Sequence, residues 1–452
     1  MTDANKLSEL GSEWECQPEA WSFLQDALQE FCEQSPVIAD WRDRLLRETG
    51  TRLVDWIDHL TLREAVVSDD QLVRLGFQPS SAANGWCHAQ GLFPTIHRPQ
   101  DDGEVGVAMK VQSVDDFCRL HDTQDSPSLV AVANLRIVAV QRSPDATFWV
   151  VERHGNLGMV PSLATDVQRQ MIVDGARLMR ERIRADGQAG FDHARQAFDV
   201  VADKLGRDWA CDLFFSTERD YWQSRNYAAR IQKQRQDALA VGWANHDHHT
   251  YRCSRENFRS LISVLEHFGF ECRERFYAGA QAGWGAQVLE HSNCGLVIFA
   301  DVDLSPDEVA GDFAHQGLGK RESLGTVGLW CKLHGDSFLS AGMHHLECQF
   351  DFDAVRAQLA EQGIETMVPF TDFAFLRQAF TVGECWEISS ERLDQLVEQR
   401  WITRGQAETF ADQGAIGSHL EILERNDGYK GFNQTGVSDI IHRTDPRLQG
   451  SK

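Results

Sequence analysis

One hexapeptide pattern occurs twice in this chain and limits its fold more than any other feature. Residues 58–63 read Asp58-His59-Leu60-Thr61-Leu62-Arg63, and residues 247–252 read Asp247-His248-His249-Thr250-Tyr251-Arg252; both fit D-H-x-T-x-R. Side chains on a strand alternate between its faces. The second copy, as a strand, is therefore expected to place His246, His248, Thr250 and Arg252 on one face. The echo extends downstream. Leu75-Gly76-Phe77 is followed by Gly85-Trp86 in the first copy, and Phe268-Gly269-Phe270 by Gly283-Trp284 in the second. Strand, helix, Gly-Phe turn and then a sheet near Gly-Trp predict a βαβββ unit used at least twice. The plainer alternative is two α+β domains that share a turn motif.

Periodicity fills in the remainder. Trp21, Leu24, Leu28 and Phe31 recur at helical spacing and predict a helix over 18–48, within an N-terminal segment 1–48. A first module over 49–160 carries strand-like runs at 52–63, 105–112, 129–140 and 147–152. Residues 161–242, rich in Ala, Arg, Gln and Asp over 164–206 and 217–241, predict a helical insertion. A second module over 243–342 has a strand at 244–253, a helix at 255–268, strands near 285–291 and 295–301, and a glycine-dotted connection over 311–342. A third over 343–452 has a strand at 343–350, a helix at 353–362, shorter strands, a helix at 390–411 and a last strand at 417–425. The expected class is α+β, with repeated βαβββ modules and a helical insertion.

At 452 residues, 42% hydrophobic and 25% charged, the chain has the composition of a globular protein with several cores. A net charge of −24 argues against a nucleic-acid partner or an anionic membrane surface, either of which needs clustered cations. The opening MTDANKLSELGSEWE has no basic or apolar leader pattern, and no apolar run approaches the ~20 residues that span a bilayer. Eleven cysteines, odd in number and without a C-x-x-C pair, suit reduced thiols in a cytoplasm better than a disulfide framework or a cysteine-zinc site.

Three positions in the C-terminal half are candidates to converge on a metal. His248 opens the second module. His345 lies in Gly342-Met343-His344-His345-Leu346-Glu347-Cys348, opening the third. Glu421 lies in Gly417-Ser418-His419-Leu420-Glu421, in the strand that closes it. Two imidazoles and one carboxylate form a facial triad that leaves positions open on Fe(II), although Zn(II), Mn(II) and Ni(II) accept the same donors. On 343–350, His344, Leu346, Cys348 and Phe350 share one face, and His345, Glu347 and Gln349 the other. Arg252, on the His248 face, is suited to pair bidentately with a substrate carboxylate. The plain alternative reads the HDHH run as a polar turn and Glu421 as one more solvated acid.

At these residues the chain resembles the vicinal-oxygen-chelate enzymes of the hydroxyglutarate synthase type, also called 2-oxoadipate dioxygenase/decarboxylase. The family's D-H-x-x-x-R string matches His248 with Arg252, its later ligand histidine matches His345, and its ligand glutamate matches Glu421. Phe375-Leu376-Arg377-Gln378-Ala379-Phe380-Thr381 is similar to a family segment near the substrate pocket. Asp427-Gly428-Tyr429-Lys430-Gly431-Phe432 and Ser438-Asp439-Ile440-Ile441 resemble the ending of its shorter members.

The resemblance implies a half-open barrel of βαβββ modules. It also implies Fe(II) held by His248, His345 and Glu421, with dioxygen as co-substrate. The substrate is expected to be a 2-oxo acid converted to a hydroxy acid and CO₂, with Arg252 anchoring its carboxylate and Gln378, or more weakly Arg377, orienting it. The first module would keep its fold without a metal.

Departures leave alternatives open. His59 with Arg63 fits the first-ligand string equally well, so His59, His246 or His248, and Glu421 form a competing set. Glu152-Arg153-His154-Gly155 resembles part of the same string, but position 158 is Gly where an Arg is required, so it is read as coincidence. A Zn(II)- or Ni(II)-dependent glyoxalase-type isomerase or lyase would use Glu347 or Glu421 as base, and a non-catalytic binding protein of the same fold is a third reading. A homodimer is one oligomeric state the sequence leaves open.

Overall fold

The computed structural model describes residues 14–100, 103–124, 131–280, 282–432 and 445–448. The segment Ser438-Asp439-Ile440-Ile441 therefore lies outside the described residues.

Strand order shows one unit repeated around two open sheets. The first unit runs β1 (Ile57–Thr61), helix Asp69–Arg74, β2 (Phe77–Ser80), β3 (Gly85–His88) and β4 (Thr95–His97). The second runs β5 (Gly106–Lys110), helix Val114–Leu120, β6 (Leu135–Gln141) and β7 (Thr147–Arg153). The third has β8 (His246–Arg252), helix Phe258–Phe268, β9 (Glu271–Tyr277), β10 (Trp284–His291) and β11 (Leu296–Asp303). The fourth has β12 (His345–Gln349), helix Phe352–Glu361, β13 (Thr371–Phe373), β14 (Leu376–Phe380), β15 (Glu384–Trp386) and β16 (Ala415–Arg425).

In each unit the first strand pairs in parallel with the last: β1 with β4, β5 with β7, β8 with β11 and β12 with β16. Units then join in pairs through antiparallel first strands, β1 with β5 and β8 with β12. The result is an α+β fold with a seven-stranded and a nine-stranded mixed sheet, neither of them closed. The stretch 49–160 thus holds two units, β1–β4 and β5–β7.

Helices Asp166–Arg180, Gln188–Leu205, Arg207–Ser224 and Tyr227–Asp237 link the sheets and cover the nine-stranded one, packing Phe198, Phe214 and Phe215 against Phe268, Phe338 and Leu346. The N-terminal helix Pro18–Gln34 covers the first sheet with Leu24 and Leu28 over Trp41 and Trp56. Among the described residues no helix is long and apolar enough to cross a membrane.

Several segments differ from the sequence expectation, each for a local reason. The helix expected over 18–48 breaks at Ser35-Pro36: proline removes a backbone donor, and Ser35 caps a new helix, Pro36–Arg44. The helix expected over 390–411 is two, Ser390–Glu398 and Arg404–Gln413, because Thr403 starts a fresh capping box. The polar strand β9 gives no period-two apolar signal. Residues 311–342 are not a plain connection. They contain helix Thr326–His334, whose first backbone N–H groups donate to Asp303 of β11 (from Gly325 at 2.8 Å, Val327 at 3.1 Å and Gly328 at 3.0 Å). A cap supplied from another strand leaves no local sequence trace.

Candidate metal centre

The site is built on β8, β12, β14 and β16, where alternation separates an apolar face from a polar one. Leu346, Cys348, Leu420 and Ile422 point into the core beneath the helices. His345 and Glu347 point the other way, and in the parallel register they lie beside His419 and Glu421.

On β8 a bulge breaks the simple period. The pairing steps from His249↔Leu346 to His246↔Cys348, so Asp247 and His248 together oppose Glu347. The bulge turns His246 off the His248 face. His246 stacks edge-on against His249 with ring centroids 5.3 Å apart, and its Nδ1 is 2.8 Å from the Trp243 carbonyl oxygen. The expectation that His246 shares a face with His248 is thereby corrected; the extra bulge residue inverts the alternation.

Donor atoms of His248, His345, Glu347 and Glu421 all lie within 4.8 Å of one another, and all four residues are buried. His345 Nε2 is 3.0 Å from Glu421 Oε2. His248 Nδ1 is 2.9 Å from Asp247 Oδ1 and also contacts Glu347 Oε2. Asp247 is held in turn by Arg425 at 3.0 and 3.1 Å. This Arg425–Asp247–His248 chain orients the ring as carboxylates do for metal-bound histidines. Gln378 donates to Glu421 Oε1 at 3.1 Å and more weakly to Glu347 Oε1 at 3.5 Å.

The donor chemistry fits a divalent cation. His345 Nδ1 is buried without a hydrogen-bond partner among the described residues, and Glu347 Oε2 faces the His248 ring. Two facing carboxylates repel when both are ionised. Burial and the adjacent Glu421 push Glu347 well above the usual carboxylate range. Burial also pushes Glu421 up, but the His345 and His248 imidazoles outweigh it and hold Glu421 down. Burial lowers His248 despite the Asp247 carboxylate, favouring the neutral ring that ligates metals.

Arg252 is buried on the same face as His248, and its Nε has no partner. Asp301 of β11 is paired with it in register, and among the described residues its Oδ1 also has no hydrogen-bond partner. Burial pushes Asp301 up to about 8, against the lowering effect of Arg252.

His248, His345, Glu421, Arg252 and Gln378 are therefore assembled on one polar face, although Gln378 contacts the carboxylates. Arg377 is not part of it. On the opposite face of β14 it pairs with Asp353 at 2.8 Å and Asp372 at 3.1 Å. His59 and His246 also stand outside the cluster. Glu347 belongs to it, though sequence reasoning named it only as a base for the isomerase reading; its place two residues after His345 was the available signal. Asp301 had no local signal, since only strand pairing brings it to Arg252.

No protein-family profile matches the chain, and no curated protein does either. Similar solved structures include a glyoxalase superfamily protein from Ralstonia eutropha (8% identity, TM-score 0.33, 58% of this chain and 97% of that one). They also include a variant of 4-hydroxymandelate synthase from Streptomyces coelicolor (11%, 0.29, 86% and 98%) and methylmalonyl-CoA epimerase from Mycobacterium tuberculosis (14%, 0.24, 40% and 88%). Likenesses this distant assign the chain to no family.

Proposed function

We propose that the chain is an Fe(II)-dependent dioxygenase that decarboxylates a 2-oxo acid of the 2-oxoadipate kind, giving a hydroxy acid one carbon shorter and CO₂. The carrying observation is the convergence of His248, His345 and Glu421, on the face where the buried Arg252 keeps an Nε without a hydrogen-bond partner among the described residues. Bound there, iron supplies a Lewis acid and a redox centre for dioxygen. The chain's own groups do the rest. Arg252 binds the far carboxylate of the substrate and fixes its orientation. Asp247 holds the His248 ring, and Gln378 holds the Glu421 carboxylate. Burial keeps water away from the reacting acid.

One observation favours a second reading. Glu347 joins the cluster as a second carboxylate poised to carry a proton, which suits a Zn(II)- or Ni(II)-dependent isomerase or lyase. Metal analysis after anaerobic purification, followed by oxygen uptake with a panel of 2-oxo acids, separates the two. Iron with substrate-dependent uptake is expected. Zinc or nickel that is lost in His345→Ala, without uptake, transfers the assignment to the second reading, and absence of any metal that depends on His345 refutes both.

A further inference from the structure

Away from that cluster, Cys211, His291 and Cys294 bring two sulfurs and an imidazole nitrogen within 4.8 Å of one another. Cys211 lies in the first half of helix Arg207–Ser224. His291 ends β10, and Cys294 ends the 3₁₀ turn Ser292–Cys294 that leads into β11. Cys294 Sγ is 3.9 Å from His291 Nε2, and Asp208 Oδ1 is 3.6 Å from the same nitrogen. His291 is buried and its Nδ1 has no partner, so among the described residues these polar contacts of the ring lie on its Nε2 edge.

We propose that Cys211, His291 and Cys294 form a zinc site, with a non-protein donor completing the four-coordinate shell. Around tetrahedral zinc, with bonds of about 2.0–2.3 Å, neighbouring donor atoms stand roughly 3.4–3.8 Å apart. The Cys294–His291 separation of 3.9 Å needs a shift of only a few tenths of an ångström, whereas Asp208, 3.6 Å from the imidazole, lies outside the set of donors close to one another. Asn293 Nδ2 already donates to Asp208 Oδ2 at 2.7 Å, leaving Oδ1 directed at His291. Arg207 Nε, 4.0 Å from Oδ1, lies beyond hydrogen-bond reach. The Cys294 thiol rests 3.2 Å from the Asp208 carbonyl oxygen, and binding zinc requires both thiols to release their protons.

Two thiolates and an imidazole select zinc, whereas the two-carboxylate centre suits a harder ion. The site pins the start of a covering helix to the turn feeding β11, the strand that carries Asp301. An H-x-x-C pair completed by a thiol from a distant helix leaves no C-x-x-C trace in the sequence.

Zinc content of the full-length protein tests this. One equivalent is expected in the unmodified chain and in His345→Ala alike, with a drop of about fivefold or more in Cys294→Ser and Cys211→Ser. Because Cys211 is buried and its serine variant can misfold, cobalt(II) reloaded into the unmodified chain gives an independent reading. A thiolate-to-cobalt charge-transfer band is expected, lost after mercurial blocking of the thiols. Unchanged zinc in Cys294→Ser, no such band, or a Cys211–Cys294 disulfide in anaerobically handled protein overturns the proposal.

Discussion

The two sheets are built alike, yet among the described residues only the nine-stranded one gathers metal-type donors. Both put a bulge at an Asp-His pair: the pairing shifts between Ile57 and His59 on β1 just as it does at Asp247-His248 on β8. Both brace that pair with an arginine from the partner unit's last strand, Arg153 on Asp58 at 2.6 and 2.8 Å and Arg425 on Asp247 at 3.0 and 3.1 Å. Register then superposes Gly106 on His345, Ala108 on Glu347, Trp149 on Glu421 and Ile137 on Gln378. The donors of one sheet are a glycine and apolar side chains in the other. Backbone geometry reinforces the difference: Gly106 has φ +155, and a Cβ there would lie 1.8 Å from the Thr147 carbonyl oxygen. The repeated D-H-x-T-x-R string is therefore first a device for holding a bulge and a cross-unit ion pair. Chemistry is added by the residues that face it.

The largest expected effect comes from removing a donor. His345→Ala should lose its stoichiometric iron and about a thousandfold or more in turnover, because the ion supplies several kcal/mol to the reaction. His59→Ala should change neither metal content nor turnover. Iron retained in the first variant, or lost in the second, would reverse the roles of the sheets.

Next come the braces. Asp247→Asn removes the charge partner of the buried Arg425 guanidinium and is expected to cost roughly 3–5 kcal/mol in denaturant unfolding, and metal affinity roughly 10–100-fold besides. Asp58→Asn should destabilise less, since the Arg153 side chain is 18% exposed against 4% for Arg425, while each keeps two backbone carbonyl acceptors. It should leave metal affinity alone. Equal metal loss in both variants would mean that the first brace serves the site too.

The unit and the convergence of His248, His345 and Glu421 were legible because both rest on local patterns: a repeated string, period-two alternation and glycine turns such as Gly269 at φ +108. What was hidden depends on pairing between distant strands. The bulge that turns His246 away is set against β12, and the Asp303 cap of helix Thr326–His334 comes from β11. Arg377 and Gln378, adjacent in sequence, face opposite ways, and only the position of β16 decides which of them meets the carboxylates. The string at 152–155, read as coincidence, has structural work of its own. Arg153 braces Asp58, and His154 bridges Glu152 and Asp212 at 2.7 Å each.

Gln378 offers a smaller contrast, since its counterpart Ile137 is apolar. Gln378→Leu makes the second sheet resemble the first at one position while keeping size. The loss of one hydrogen bond to a buried carboxylate is expected to lower metal affinity about tenfold, read by chelator competition. An unchanged affinity would separate Gln378 from the site.

The finest difference is a titration. Asp301, pushed up to about 8, is neutral at pH 7, which leaves Arg252 available to a substrate carboxylate. Its folded value lies above the unfolded one of about 3.9, so the folded state loses stability as pH rises from that value through about 8. Asp301→Asn should therefore be more stable than the unmodified chain above that window. The same ionisation acts on binding: once charged, Asp301 competes with substrate for Arg252, and KM should rise roughly tenfold by pH 9. Asp301→Asn should abolish that rise while retaining metal. A KM that stays flat from neutral pH to pH 9 in the unmodified chain, or climbs equally in the variant, would detach Asp301 from substrate recognition. In the first sheet the pairing that would place a carboxylate opposite Arg63 is absent, since β4 ends at His97 and Pro99 stands two residues beyond. The pH response should accordingly disappear with Arg252→Lys, which keeps the charge but loses the fork, and persist in Arg63→Lys.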